Sequence, residues 1–182
     1  MKHLFRNATA LCLFTAMLCA ASLLHAQGNT SKIKTSAIKV EMIQCDEIHL
    51  PAEFQVALYE NLIQQLEQKG NSWRVYRDGD RDSANIVDLV DLRSTVRGFK
   101  QGSEKARDVT TVAGATSITV HCQFTDNHGK LLLERDINGK VRFFGGNLKA
   151  TYDFAKKAAT VAQQNFSATE QAPEKLAFQS PI

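Results

Sequence analysis

The sequence holds no lasting excess of charge of either sign. It carries 22 Lys and Arg against 19 Asp and Glu, a formal net charge of +3. Lys2 and Arg6 fall in a segment expected to be removed, and without them 20 cations face 19 acids. So close a balance excludes a nucleic-acid surface or a polybasic membrane patch as the organising feature. Histidine is scarce too. Only His49, His121 and His128 lie beyond residue 26, and no pair has the spacing of a zinc motif. His121 adjoins Cys122, but neighbours on a strand point to opposite faces, so one strand cannot aim both at one metal. There is no G-x-S-x-G elbow. Ser117, in the "GATS" at 114–117, has no base placed near it by sequence, and Gly114 suits a tight turn. Gly145-Gly146 precedes a helical pattern that could present backbone N–H groups to an anion. No phosphate-loop Lys-Ser/Thr follows them. These absences leave no metal, cofactor or catalytic set to name, and the reading is non-enzymatic.

Cysteine is also sparse. Cys12 and Cys19 lie in the first 26 residues, which leaves Cys45 and Cys122. In an oxidising compartment two cysteines permit one disulfide. A bridge across so long a loop would contribute about 4 kcal/mol in the chain-entropy picture. The alternative is two separate core thiols, since a free Cys behaves as a small buried hydrophobe.

What is present begins with a leader. Lys2 and Arg6 head an apolar stretch from Ala8 to Leu24, and Leu24-His25-Ala26 supplies a small residue for cleavage after Ala26. Residues 1–26 therefore read as a secretory signal peptide. The apolar run is about 17 residues at most, the short limit for a membrane span. The processed chain is expected to be soluble, periplasmic or secreted, and not transmembrane. Ala16-Met17-Leu18-Cys19 resembles a lipobox, but the bulky Leu18 beside the Cys argues against lipidation. The remaining chain of about 155 residues suits one domain, which buries about two thirds of its surface.

Within that chain, 27–34 is polar and reads as a flexible leader. Alternation places Ile38, Val40 and Met42 on one side of a strand, and Lys39 and Glu41 on the other. Pro51 suits the first turn of a helix. Phe54, Leu58, Leu62 and Leu66 form its stripe, widened by Val56, Tyr59 and Ile63, and Gly70 stops it. Trp73–Tyr76 and Ile86–Val96 read as strands, and 98–115 as a connection shaped like a mobile hairpin tip. Thr116–Thr125 is the clearest strand, with Ile118, Val120, Cys122 and Phe124 inward. Asp126–Gly129 is a reverse turn into Leu131–Ile137. Asn138-Gly139 reads as another tight turn, with a short strand over Val141–Phe144. A last helix over 147–166 puts Leu148, Tyr152, Ala155, Ala159, Ala162 and Phe166 on one face. Residues 167–182 lack periodicity and read as a disordered tail. The result is a single α+β domain over 35–166, without internal repeat. It is a two-layer sandwich with a mixed, mostly antiparallel sheet and two helices on one face, in the order β-α-β-β-β-β-α.

The second half carries a recognisable succession. A strand ends at Val96–Gly98, a basic stretch covers Lys100–Arg107, and Ala113-Gly114-Ala115 makes a Gly-rich turn. The strand Ile118–Phe124, the turn Asp126–Gly129, the strand Leu131–Glu134, Gly145-Gly146 and the Ala-rich Lys149–Gln163 follow. This resembles the exported bacterial domain-of-unknown-function family 4410, over roughly residues 36–166. The resemblance implies an exported protein of this fold and no reaction type. Many similar proteins are lipoproteins, and the faulty lipobox departs from that pattern.

Two charged features remain. Asp78, Asp80 and Asp82 occupy the first, third and fifth positions of a calcium loop. Ser83 stands where its Gly belongs and Leu89 where its bidentate Glu belongs, so the segment reads as a solvated turn. Arg93, Arg97, Lys100, Lys105 and Arg107 cluster around one connection, and the even spacing of Arg93 and Arg97 allows one face. They are the candidate anion-binding residues. The competing reading is ordinary solvated strand charge, interleaved with Asp88, Asp91, Glu104 and Asp108. The expected function is an envelope module that binds or scaffolds another envelope protein or a second copy. The alternative is a periplasmic protein binding a small anionic ligand. Peripheral contact with a membrane stays open.

Overall fold

Alternating side chains build the centre of the sheet. The computed structural model describes residues 31–70, 73–109, 114–142 and 145–169, leaving aside the side chains of 107–109. The expected signal peptide, most of the expected leader and all but the start of the expected tail lie outside the described residues. β5, Thr116–Asp126, alternates as expected: Ile118, Val120, Cys122 and Phe124 are fully buried, and the residues between them are not. It pairs antiparallel with β4, Leu89–Lys100, on one side and β6, Leu131–Val141, on the other. β2, Ala37–Val40, lies parallel to β4, and β3, Arg74–Arg77, lies parallel to β2 at the edge. The five strands run in the order β3-β2-β4-β5-β6. Each parallel ladder pairs four residues and each antiparallel ladder ten, so the sheet is mixed and mostly antiparallel.

One face of this sheet is covered by two helices. α1, Ala52–Lys69, buries Phe54, Leu58, Leu62 and Leu66 completely, and Tyr59 and Ile63 almost so. A fully buried Leu or Phe contributes about 1.5–3 kcal/mol, so this one stripe accounts for the helix's attachment. Phe54 meets Phe99 edge-on, with ring centroids 4.8 Å apart. The helix ends at Gly70, whose N–H donates to Leu66 O at 2.7 Å. Its φ is −86°, so the glycine is not needed for a left-handed turn. A Cβ there would lie 2.0 Å from Trp73 Nε1, so the position is kept bare for the indole. α2, Glu104–Val109, is a single short helix between β4 and β5. α3, Lys149–Asn165, packs beside α1, and the Asn61 amide donates to Thr151 Oγ1 at 2.8 Å.

Several expectations are corrected. The buried face of α3 is Ala150, Thr151, Phe154, Ala155, Ala158, Ala159 and Ala162. Leu148 and Tyr152 are exposed. Small residues win because the helix lies close against β6 and α1. Asn138-Gly139 is not a turn: β6 runs straight through both residues. A Cβ on Gly139 would stand 2.1 Å from Ala150 O, so this glycine admits the α3 backbone. Val141 ends β6, and 143–144 of the expected extra strand lie outside the described residues. The connection after β4 is shorter than expected and is tied down. β4 continues to Lys100, Gly102 N donates to Thr116 Oγ1 at 2.9 Å, and Asn147 N donates to Glu104 Oε1 at 2.9 Å.

The ends of the domain also extend beyond the expected bounds. β1, Ile33–Thr35, pairs parallel with β7, Phe166–Ala168, as a separate two-stranded piece. Ile33 and Lys34 thus leave the expected leader, and Ser167 and Ala168 leave the expected tail. Thr35 fixes the join, because its hydroxyl lies 2.7 Å from Asp88 O and 2.8 Å from Ala37 O.

Candidate functional site

Two members of the basic cluster are paired with carboxylates. Arg93 is exposed on β4, but its Nε donates to Glu41 Oε2 at 2.8 Å. Arg97 is exposed at a bulge between Val96 and Gly98 and lies 3.4 Å from Glu47 Oε2. Glu41 and Glu47 are some fifty residues upstream, and only the parallel β2–β4 pairing brings them there. Lys100 ends β4 and Lys105 sits on α2, both exposed. Arg107 is on α2 as well, with its side chain outside the described residues. Of the five, Arg93 and Arg97 thus each face a carboxylate of the same chain. At the start of α3, where Gly145-Gly146 suggested an anion site, the anion present is Glu104 of the same chain.

The acidic turn also resolves into backbone work. Asp80 caps a 3-10 turn over Arg81–Asn85, with its side chain accepting from Asp82 N at 3.1 Å. Gly79 supplies the positive φ of +78°. Asp78 Oδ2 accepts from Met42 N at 3.3 Å. Among the described residues no group of three or more His, Cys, Asp or Glu could hold a metal ion. His121 is on the uncovered sheet face, where Nδ1 lies 2.7 Å from Asp136 Oδ1 and Nε2 3.8 Å from Glu134 Oε2.

Both cysteines are free thiols. Cys122 faces inward on β5, with Sγ 3.8 Å from Ser94 Oγ. Cys45 follows Gln44, which bridges to Thr95 on the opposite side of β4. The β4 strand thus stands between them, and two strand spacings separate their Cα atoms by roughly 9–10 Å. A disulfide needs less than about 7 Å, so of the two readings the separate thiols hold in this fold. Burial pushes the Cys122 thiol up to about 12, and burial with Asp46 nearby raises Cys45. Neither is an activated nucleophile.

The feature that stands out is a groove on the flank of α1. It encloses about 340 Å³ and is lined by Met42, Ile43, Ala52, Gln55, Val56, Tyr59 and Glu60. Both walls are apolar and open, with Met42 59% and Val56 63% exposed. The sequence reading assigned both to the core. Val56 lies two residues from Phe54, which turns it some 200° around the helix and away from the stripe. That angle is legible in the sequence. Met42 is displaced because the strand becomes irregular after Val40. Glu41 N donates to Leu92 O and Gln44 N to Ser94 O. Three steps along this strand therefore match two along β4, and one extra residue bulges at Met42–Ile43.

The floor and rim of the groove are held rigidly. Asp78 N donates to the Tyr59 hydroxyl at 3.1 Å, and that hydroxyl donates to Val40 O at 3.4 Å. Arg77 grips Glu60 through two bonds of 2.6 and 2.7 Å and lies over the Tyr59 ring, 5.7 Å from its centroid. That pairing holds the Glu60 carboxyl below its usual range. A second cavity of about 240 Å³ lies where α1 and α3 end, lined by Lys32, Lys69, Trp73 and Phe166 among others. Lys69, in the last turn of α1, complements that helix's C-terminus, and its Nζ donates to Lys156 O at 3.3 Å and also to the Thr160 hydroxyl. No helix among the described residues is long and apolar enough to cross a membrane.

No family model and no curated protein matches the chain. Solved structures do. Two crystal structures of PelC from Paraburkholderia phytofirmans, both dodecamers and one a point variant, superpose with a TM-score of 0.53 at 12% identity. The match covers 73% of this chain and 91% of the variant, and 72% and 89% for the other. A hypothetical protein of Chlamydia trachomatis matches at a TM-score of 0.46 and 9% identity, over 72% of this chain and 98% of that one. At these identities the likeness to PelC shows a shared fold.

Proposed function

From a fold shared with the subunit of a dodecamer, we propose a non-enzymatic, exported module of the bacterial cell envelope that works by holding another protein. One observation carries the reading: the apolar groove between Met42–Ile43 and the flank of α1. Contiguous exposed apolar surface rimmed by polar residues marks protein–protein contact sites and ligand grooves. The leader at residues 1–26 supports export, and PelC's dodecameric crystals support an assembly role for the fold. The basic connection is the weaker candidate, since Arg93 and Arg97 already face carboxylates.

The test is a photo-crosslinking residue placed at Val56 in the full chain, expressed in an exporting diderm host, with the same residue at Gln123 on the sheet as control. Adducts to protein specific to position 56 are expected. A chain that is strictly monomeric by light scattering and yields no adduct at Val56 would refute the reading.

A further inference from the structure

The groove has a feature that an apolar patch alone would lack. One of its walls is an unpaired strand edge. β3 ends at Arg77, so it covers β2 only as far as Val40. Beyond that point the chain still follows β4 on its inner side, through Glu41 N to Leu92 O, Gln44 N to Ser94 O and Val96 N to Gln44 O. Its outer side has no strand beside it among the described residues. The Met42 N–H is taken by Asp78. The Met42 carbonyl and both backbone groups of Ile43 make no hydrogen bond to another described residue. The facing wall is α1, with Ala52, Val56 and Tyr59 one turn apart. A strand edge and a helix thus flank the groove.

We propose that the groove takes an extended segment of another polypeptide, added as a strand against Met42–Ile43. The segment places an aliphatic or aromatic side chain between Met42 and Val56, and a basic side chain at the mouth. The argument for the strand is the unpaired backbone, which an incoming chain would satisfy with its own N–H and C=O. The argument for the basic residue is charge. Asp78 and Glu60 border the groove, and Glu53 lies on the adjoining ridge of α1, one turn before Val56 and two before Glu60. Against these three acids stands one cation, Arg77, already committed to Glu60. The mouth therefore carries an uncompensated negative charge of two. A second copy docking through the same groove would set these acids against themselves, so a basic segment fits better than a symmetric partner.

The inference rests on the groove being a protein-binding surface, and its test separates the two claims. The immobilised processed chain is panned against a phage-displayed library of random dodecapeptides, with Val56→Asp as the counter-selection. Expected peptides share an apolar residue with Lys or Arg close by, and lose at least tenfold in affinity for Val56→Asp. The exchange of the Ile43 amide should slow at least tenfold on adding the best peptide, an effect that hydrophobic sticking would not produce. Acidic or patternless peptides, equal binding to Val56→Asp, or an unchanged Ile43 amide each overturn strand addition. So does a wild-type dimer that Val56→Asp converts to monomer. A crosslink at Val56 alongside failed panning would overturn this inference alone and leave the broader function standing.

Discussion

Replacing Gly139 by Ala asks whether that residue makes a turn or makes room. An added Cβ would lie 2.1 Å from Ala150 O, 2.7 Å from Phe154 Cβ and 2.9 Å from Phe154 N. Two of these are backbone atoms of α3, so no side chain can swing aside. The helix must withdraw on the order of 1 Å from a close-packed sheet. Overpacking of this kind costs about 1–3 kcal/mol. The same movement strains two bonds that flank the site. Lys140 N donates to Asp153 Oδ2 at 2.9 Å, and Lys157 Nζ donates to Asn138 O at 2.9 Å. Each such bond contributes about 0.5–1.5 kcal/mol, so the total loss should be about 2–6 kcal/mol. Urea unfolding at 25 °C measures it directly, as a drop in midpoint with unchanged slope. Asn provides the discriminating variant, because it tolerates a left-handed turn but is larger than Ala. At Gly139 Asn should be worse than Ala. At Gly129, where φ is +78° and no atom lies within 4 Å of the added Cβ, Asn should be milder than Ala. If Gly139→Asn proved milder than Gly139→Ala, the close-approach argument would fail.

Other outcomes follow from the core and the site. Burial raises the Cys122 thiol to about 12, so the folded chain holds that proton longer than the unfolded one. Its contribution is intact below the ordinary thiol value of about 8.5 and is lost as pH climbs from there towards 12. Unfolding midpoints of wild type should therefore fall more steeply between pH 9 and about 11 than those of Cys122→Ala; parallel slopes would contradict the burial. Alkylation of the denatured, unreduced protein followed by mass spectrometry should label both Cys45 and Cys122, and a mass two hydrogens lower with neither labelled would show a bridge. Tyr59→Phe leaves Asp78 N without its partner and should cost about 1 kcal/mol, read by the same urea assay. Leu62→Ala opens a cavity at a fully buried position and should cost about 2–5 kcal/mol.

Much of the scaffold is written in local pattern. The period-two run from Ile118 to Phe124 and the four-residue spacing of Phe54, Leu58, Leu62 and Leu66 fix a strand and a helix wherever they occur, because backbone geometry sets which side chains share a face. The Asp126–Gly129 turn is equally local: the Asp126 side chain accepts from His128 N and Lys130 N, four residues away at most. Long-range choices were not legible in this way. Whether Gly139 bends the chain or admits a helix depends on Ala150 and Phe154, which no window around Asn138-Gly139 contains. The buried face of α3 follows from what lies beneath it, and small residues there beat the larger Leu148 and Tyr152.

The sequence by itself determined the order of the five sheet strands and the two long helices, the inward face of β5, the Phe54, Leu58, Leu62 and Leu66 stripe of α1, and the lack of a charge excess, since these depend on neighbours a few residues apart. Only the tertiary structure decided that Arg93 and Arg97 meet Glu41 and Glu47, that β4 separates Cys45 from Cys122, and that β3 stops short of Met42. Each of those is set by strand order and register. Register is a property of two segments together, so neither segment carries it alone.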